Sequence, residues 1–390
     1  MATAPTSAGS MLQLVRSGQA NTRRELQALT GLSRSTVAHR LDLLLDVGWL
    51  EESGVDSSSG GRPPTRLRFN EGHAVVLAAS LDTTRARAAV LDLGGRPLAE
   101  HSGDLHVSDG PEPVLDTLAG WFTDLLERAG RRADEVCGIG VAVPGPVEFE
   151  TGRVVRPPIM PGWDGYPIPD HLRKTFDAPV LVDNDANMMA LGEHAAGHPD
   201  CPAFVLVKVS TGIGAGVIVS GGVYRGIDGG AGDIGHIRLH DRDDALCQCG
   251  SRGCLAAVAS GRALAAELTR LGVPTDSGSG VRDHLRADLP EAVRLAREAG
   301  RRVGEVLTTV VCVLNPGVLM VSGDLAETHF VTGVREVLYQ RALARATRNL
   351  QVVTGRLGDR AGLHGVGRLV VDHLYAPAQA DARLAEGTAP

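Results

Sequence analysis

The sequence predicts an α/β protein preceded by a separate, mainly helical N-terminal domain. Three observations carry this expectation. From His73 onward, short apolar β-rich runs alternate with helical ones, the pattern of strands covered by helices. Residues 10–52 instead carry helical periodicity, and a Gly/Ser/Pro/Arg segment at 53–72 separates the two regions. A chain of 390 residues also exceeds one ordinary core, so two or three domains are expected.

Residues 1–9 are read as a disordered N-terminus; without a basic segment followed by an apolar run, no signal peptide is expected there. The head spans residues 10–70. Thr22-Arg23-Arg24-Glu25 is a capping box that opens a helix carrying Leu26 and Leu29. Gly31 makes a turn, and Ser33 caps a second helix with Val37, Leu41 and Leu44 on its apolar face. Arg34, Ser35, Thr36, His39 and Arg40 fall on the opposite face. They are guanidinium groups and short donors suited to base edges and phosphates in a major groove. Trp49 and Leu50 lead into wing strands, and Thr65 to Phe69 reads as a strand.

Within the separating segment stands Gly60-Gly61-Arg62-Pro63-Pro64. Two glycines allow close approach to a duplex, the prolines hold the backbone extended, and Arg62 suits a narrow minor groove. Together these features read as a winged helix-turn-helix binding double-stranded DNA. The alternatives are a helical hairpin for protein contacts and a plain interdomain linker. Residues 1–70 hold eight arginines against six acids while the whole chain carries −7, which fits DNA binding confined to the head.

In the body, residues 71–375, Val75–Ser80, Ala88–Leu93, Gly138–Val143, Val180–Val182 and Ala203–Val209 read as strands. Pro111–Arg128, Asn184–Ala196, Gly261–Leu271 and Glu291–Leu314 read as helices. Glycines cluster between Thr211 and Gly261, where ligand-binding turns are expected. The most apolar long stretch, Val306 to Val321, is broken by Asn315-Pro316-Gly317 and falls short of a membrane span. No membrane segment is therefore expected, and the chain is read as cytoplasmic. Residues 376–390, rich in Ala, Pro and Gly, read as a disordered tail.

Cysteine usage points to a metal. Cys247, Cys249 and Cys254 sit within eight residues, with His236 eleven residues upstream. Three thiolates and an imidazole suit tetrahedral zinc, and four protein ligands leave no open position, so the site is structural. Reduced, partly buried cysteines without metal are the alternative. Cys137, Cys201 and Cys312 lie apart in apolar runs and are expected in the core.

A series of motifs then follows in order: Val143-Pro144-Gly145-Pro146-Val147, Gly152-Arg153-Val154-Val155, Pro161-Gly162-Trp163 and Asp183-Asn184-Asp185-Ala186-Asn187. Next come Ser210-Thr211-Gly212-Ile213-Gly214-Ala215-Gly216, Gly230-Ala231-Gly232-Asp233-Ile234-Gly235-His236 and the run from Cys247 to Leu255. This succession resembles the ROK family of repressors and sugar kinases, and the winged helix in front resembles its regulator branch, over roughly residues 10–370. The resemblance implies a two-lobed, actin-like, hexokinase-type body around a cleft, and a homodimer or tetramer. It also implies a sugar or sugar-derived effector held by Asn184, Asp185, Asp233 and His236, with Asp185 at the place of the kinases' catalytic base.

The chain departs from the kinase pattern. Leu81-Asp82-Thr83-Thr84-Arg85-Ala86-Arg87 stands where the kinases place a glycine-bearing hairpin whose amides receive ATP phosphates. Val321-Ser322-Gly323-Asp324 replaces a glycine run, and Asp324 is expected to repel phosphate. Ile159 and Ala256 stand where the family carries Asn and Glu, and Asp233 replaces a Glu. By its resemblance the expectation is a repressing regulator that binds an inverted-repeat operator and has no catalytic residues. The alternatives are an ATP-dependent sugar kinase with a DNA-binding head, a regulator with no small-molecule effector, and a scaffold whose head binds protein.

Overall fold

The computed structural model describes residues 6–55 and 65–387. The head holds three helices, α1 (Ala8–Arg16), α2 (Arg23–Thr30) and α3 (Arg34–Asp46), and an antiparallel pair, β1 (Leu50–Val55) and β2 (Thr65–Phe69). The capping box forms as spelled: the Thr22 hydroxyl accepts from the Glu25 amide, and the Glu25 carboxylate accepts from the Thr22 amide. Gly31 closes α2 at φ +70°, a conformation that costs a side-chain-bearing residue. Leu26, Val37, Leu41, Leu44 and Trp49 are buried, while Leu29 is half exposed. The Gly60–Pro64 segment with Arg62 lies outside the described residues.

The body repeats one architecture twice. Lobe one comprises β3 (Val75–Leu81), β4 (Arg85–Asp92), β5 (Pro97–Asp104), α4 (Pro111–Ala129), β6 (Val136–Val143), the small hairpin β7 (Val147–Glu148) and β8 (Arg153–Val154), α5 (Ile168–Leu172) and β9 (Val180–Asn184). Its sheet runs β5-β4-β3-β6-β9, antiparallel across the first three strands and parallel thereafter. After α6 (Asp185–Gly197), lobe two begins with β10 (Ala203–Val209), β11 (Ile213–Val219) and β12 (Gly222–Val223). It continues with α7 (Leu255–Ala259), α8 (Gly261–Arg270), α9 (Gly278–Arg286), α10 (Pro290–Leu314), β13 (Val318–Ser322), α11 (Thr328–Arg341), α12 (Ala344–Thr347) and β14 (Gln351–Thr354). The order β12-β11-β10-β13-β14 has the same pattern of parallel and antiparallel neighbours. This is the actin-like sugar-kinase fold, and its internal duplication is invisible as sequence periodicity.

Two helices join the lobes: α6, and α13 (Ala361–Leu374). They pack backbone to backbone, because a Cβ on Gly365 would collide with the Met188 carbonyl and one on Gly192 with that of Ala361. On the sheet side, side chains at Gly138 and Gly140 of β6 would strike Leu374, Val370 and Val366 of α13. The buried Glu193 carboxylate accepts the Arg356 and Leu357 amides at 2.8 Å, which ties α6 to the turn preceding α13.

The tail overturns one expectation. Residues read as disordered after Tyr375 form α14 (Pro377–Glu386), started by Pro377 and closed by Gly387 at φ +68°. The same holds for Ala8 and Gly9, placed in a disordered N-terminus by sequence but here opening α1 behind a Ser7 cap. Composition misled because each segment orders the other: Gly9 lies against Pro377, and its amide donates to Asp381 at 2.8 Å. Tyr375, fully buried, stacks edge-on with Trp49, Phe69 and His73, and its hydroxyl meets His73 Nε2 at 2.8 Å. Arg383 lies over Trp49 and Tyr375, and Arg16 pairs with Asp372 at 2.9 Å.

Head and body thus share one apolar core, running from Met11 and Trp49 through Tyr375 and Val366 to Phe204 and Met320. Cys137 is buried as expected and Cys201 is half-buried, but Cys312 is exposed on α10, since that helix turns this position away from the core of lobe two. No helix among the described residues is long and apolar enough to cross a membrane. Replacing Tyr375 with Ala empties the aromatic knot and is expected to lower stability by about 3–5 kcal/mol in denaturant unfolding, with the head detaching first in limited proteolysis.

Candidate sugar cleft, metal cluster and nucleic-acid interface

In the head, α3 presents the polar face that its sequence specified. Arg34, Ser35 and His39 are exposed, while Thr36 and Arg40 are half-buried. Ser33 caps the helix and its hydroxyl also meets those of Ser35 and Thr36 at 2.9 and 2.8 Å. One terminal nitrogen of Arg40 is left without a partner. The exposed Arg34, Ser35 and His39 place guanidinium, hydroxyl and imidazole groups on the solvent face of α3, the kinds of donor that meet phosphates and base edges.

Between the lobes lies a cavity of about 140 Å³ lined by Asn184, Asp185, Asp233, His236, Ile159 and Ala256, among others. All four sequence-predicted effector residues reach it, but they are not equally available. Asn184 caps α6 through its side-chain oxygen, which accepts from the Ala186 and Asn187 amides, and donates from Nδ2 to Gly145 O at 3.0 Å. Its polar atoms are thus spent on holding the Pro144–Pro146 turn. Asp233 and His236 stand exposed at the rim, His236 ending a single 3-10 turn, Ile234–His236.

Asp185 is the most altered. It is buried at the first position of α6, and Lys208 Nζ of β10 donates to its Oδ2 at 2.6 Å. Lys208 also lies 3.5 Å from Asp82, across the cleft from its own lobe. Burial pushes Asp185 above the usual carboxylate range, against the pull of Lys208. Burial alone would lower Lys208, but the Asp185 and Asp82 carboxylates outweigh it and hold the ammonium protonated. The Asp185 carboxylate is occupied where a kinase would need it free to take a proton.

The β3–β4 connection is a tight turn, with the Asp82 amide donating to Arg85 O at 2.8 Å and to no open phosphate cradle. Thr83 meets Thr211 hydroxyl to hydroxyl at 3.2 Å, a second tie between lobes. A third runs from Arg225 to the buried Asp183 at 2.7 Å, with Arg225 stacked on Phe149. Asp324, expected as a bare charge against phosphate, is paired with Arg282 at 3.0 Å, so its charge is partly offset.

Sequence reasoning missed three cleft residues. Lys208 carried a signal: it is one of two lysines in the chain and the only charge in an apolar strand run. Asn187 was quoted as motif but assigned no role. It is buried, its Nδ2 donates to Asp183 at 3.0 Å, and its Oδ1 has no partner. Arg262, at the second position of α8, carried no signal because only the fold brings it to the cavity.

The cysteine motif assembles as spaced. Ligand atoms of His236, Cys247, Cys249 and Cys254 all lie within 4.8 Å of one another. Cys247 Sγ is 3.8 Å from His236 Nδ1, and Cys249 Sγ is 3.7 Å from Cys254 Sγ. A tetrahedron with metal–sulfur bonds of about 2.3 Å has edges of about 3.8 Å, so the donor set fits a thiophilic ion. Gly250 at φ +85° and Gly253 at φ +78° make the turns that return the chain from Cys249 to Cys254. Burial opposes ionisation of Cys249, yet hydrogen bonds from the Ser251 amide and the other thiols bring it down to about 6.

Lys208→Met is expected to leave Asp185 as an uncompensated buried charge and to cost about 3–5 kcal/mol at neutral pH. Because burial already raises Asp185, the penalty is present above its folded pKa and shrinks as falling pH protonates it. Denaturant unfolding of variant and parent across pH 4–8 reads the difference, and a pH-independent loss would contradict this account of the pair.

Comparison with known proteins agrees with the geometry. The xylose repressor of Caldicellulosiruptor bescii is 28% identical over 383 residues, covering 91% of this chain and 92% of its own. A glucokinase of Halalkalibacterium halodurans is also 28% identical, but it covers only 74% of this chain while using 92% of its own length. Among solved structures, a ROK family transcriptional regulator homologous to the E. coli MLC protein superposes with a TM-score of 0.83 over 97% of this chain and 98% of that one, at 24% identity. The regulators span the head and the kinase does not. Residues 77–373 match the ROK family, and the chain belongs to that family.

Proposed function

We propose that this protein is a sugar-responsive transcriptional repressor that reads operator DNA with α3 and does not phosphorylate its effector. The observation that carries the reading is the union of two features in one core: an open polar recognition face on α3, and a kinase-type cleft whose Asp185 is engaged by Lys208. Phosphoryl transfer rests on positioning phosphates and freeing a base for the attacking hydroxyl. Here the β3–β4 turn offers side chains instead of bare amides, and the base is ion-paired.

In this reading a homodimer or tetramer places two α3 helices in successive major grooves of an inverted repeat, about one helical turn apart. The effector acts by preferring one head arrangement over the other. The route is α6, which starts at Asp185, then α13 against it, then Tyr375 in the head's aromatic knot. The His236/Cys247/Cys249/Cys254 cluster would hold a structural zinc ion; four protein ligands leave no place for substrate, so the ion supplies rigidity to one cleft wall. A regulator without a small-molecule effector is the second reading, favoured by one observation: Asn184 and Asp185 both spend polar atoms on internal partners.

Binding of the protein to its own upstream region, followed by fluorescence anisotropy, is expected to weaken steeply with salt; Arg34→Ala should flatten the log–log slope by about 1. In the same preparation, ATP with a sugar panel should give no sugar phosphate. Turnover abolished by Asp185→Ala would overturn the reading. Elemental analysis should find about one zinc per chain, lost on Cys254→Ser and bound more weakly as pH falls, because thiols must shed protons to ligate.

A further inference from the structure

A buried acceptor atom and a guanidinium line the cleft without a partner among the described residues, and they differ in charge. Asn187 is 3% exposed and lines the cavity, and its Oδ1 accepts no hydrogen bond. The orientation of this amide is fixed by chemistry: turning it over would press Oδ1 against the Asp183 carboxylate that Nδ2 now serves. A buried acceptor in this state costs free energy unless a donor arrives, and a hydroxyl entering the cavity would supply one.

The second group is Arg262. Three cationic or potentially cationic side chains line the cavity: Lys208, His236 and Arg262. Lys208 is taken by Asp185 and Asp82, and His236 belongs to the metal cluster. Arg262 is half-buried and, among the described residues, makes neither an ion pair nor a hydrogen bond. Gln248, Ala256 and the Asp233 carboxylate line the same cavity. The position of Arg262 is unfavourable on its own account, because a cation in the first turn of α8 opposes the helix dipole. Burial also removes water from the guanidinium and lowers its pKa, against the pull of Cys247. Three thiolates around a divalent ion leave one net negative charge spread over three sulfurs, which attracts Arg262 without giving its planar fork a hydrogen-bonded partner.

We infer that the effector is an acidic sugar, its hydroxyls meeting Asn187 and the Asp233–His236 rim and its carboxylate or phosphate received by Arg262. This rests on the reading of the cleft as an effector site and names the ligand class that site would take. A neutral sugar of the same size would fill the cavity and leave Arg262 desolvated and unpaired. A carboxylate or a phosphate fits the fork in two parallel hydrogen bonds, so both sources share one recognition chemistry.

The test is calorimetric titration of the full-length, metal-containing protein with matched pairs: glucose against glucuronate, xylose against xylonate, and glucose 6-phosphate as the phosphate arm. At least one acid should bind roughly 10- to 100-fold more tightly than its neutral partner, the range expected for a charge-assisted hydrogen bond. Arg262→Gln should abolish that ratio and Arg262→Lys should keep part of it, while operator binding without ligand reports that both variants fold. Carboxylate and phosphate arms that differ decide which acid the site takes. A neutral sugar that binds as well as its acid, or Arg262→Gln that weakens both alike, overturns the inference and leaves the repressor reading standing. Loss of zinc from Arg262→Gln with the acid preference intact assigns Arg262 to the metal cluster and also overturns it. Binding by no sugar of either class removes the effector reading and the inference together.

Discussion

The structure depends on the close passage of α6 over α13. Gly192 and Gly365 let the two helix backbones meet, and no side chain could be inserted at either position without moving one helix. Each helix has a second attachment that makes the contact consequential. The first turn of α6 carries Asp185 and Asn187 into the cleft, and α13 runs along β6 of lobe one before delivering Tyr375 to the head. A rigid contact between two such helices behaves as a lever, because close-packed interiors shift between discrete arrangements and do not deform smoothly.

The cleft is held by contacts between the two lobes as well as by the helices that join them. The lobes meet through the approach of Lys208 to Asp82, the Thr83–Thr211 pair and the Arg225–Asp183 bridge. Lys208 is the decisive member, since its ammonium donates to Asp185 of the joining helix α6 and lies 3.5 Å from Asp82 of the opposite lobe. Such a buried pair adds little net stability over an apolar substitute, but losing one partner is costly, so it fixes geometry more than it strengthens the fold.

Much was legible in the residues. The capping box, the Gly31 turn and the Ser33 cap specify the head locally, through hydrogen bonds closed within a few positions. The metal cluster was legible for the same reason: three of its ligands lie in one short loop, and glycines at 250 and 253 make that loop the only geometry needed. The tail was misread because composition reports what a segment can do alone, and α14 is ordered by α1 across 372 residues of sequence between Gly9 and Asp381. Cys312 was misread because an apolar run says that a helix packs, not which face it turns inward.

The sequence by itself determined much of the element order, the polar face of α3, the membership of the His/Cys cluster and the absence of glycines at the β3–β4 turn. Each of these is a matter of residue type and short spacing. Only the tertiary structure decided which cleft groups are spent and which are free. Asn184 and Asp185 are held by Gly145 and Lys208, while Asn187 Oδ1 and Arg262 have no partner among the described residues. The reason is physical: a polar side chain's availability depends on what lies within about 3 Å of it, and in this protein those neighbours come from distant parts of the chain.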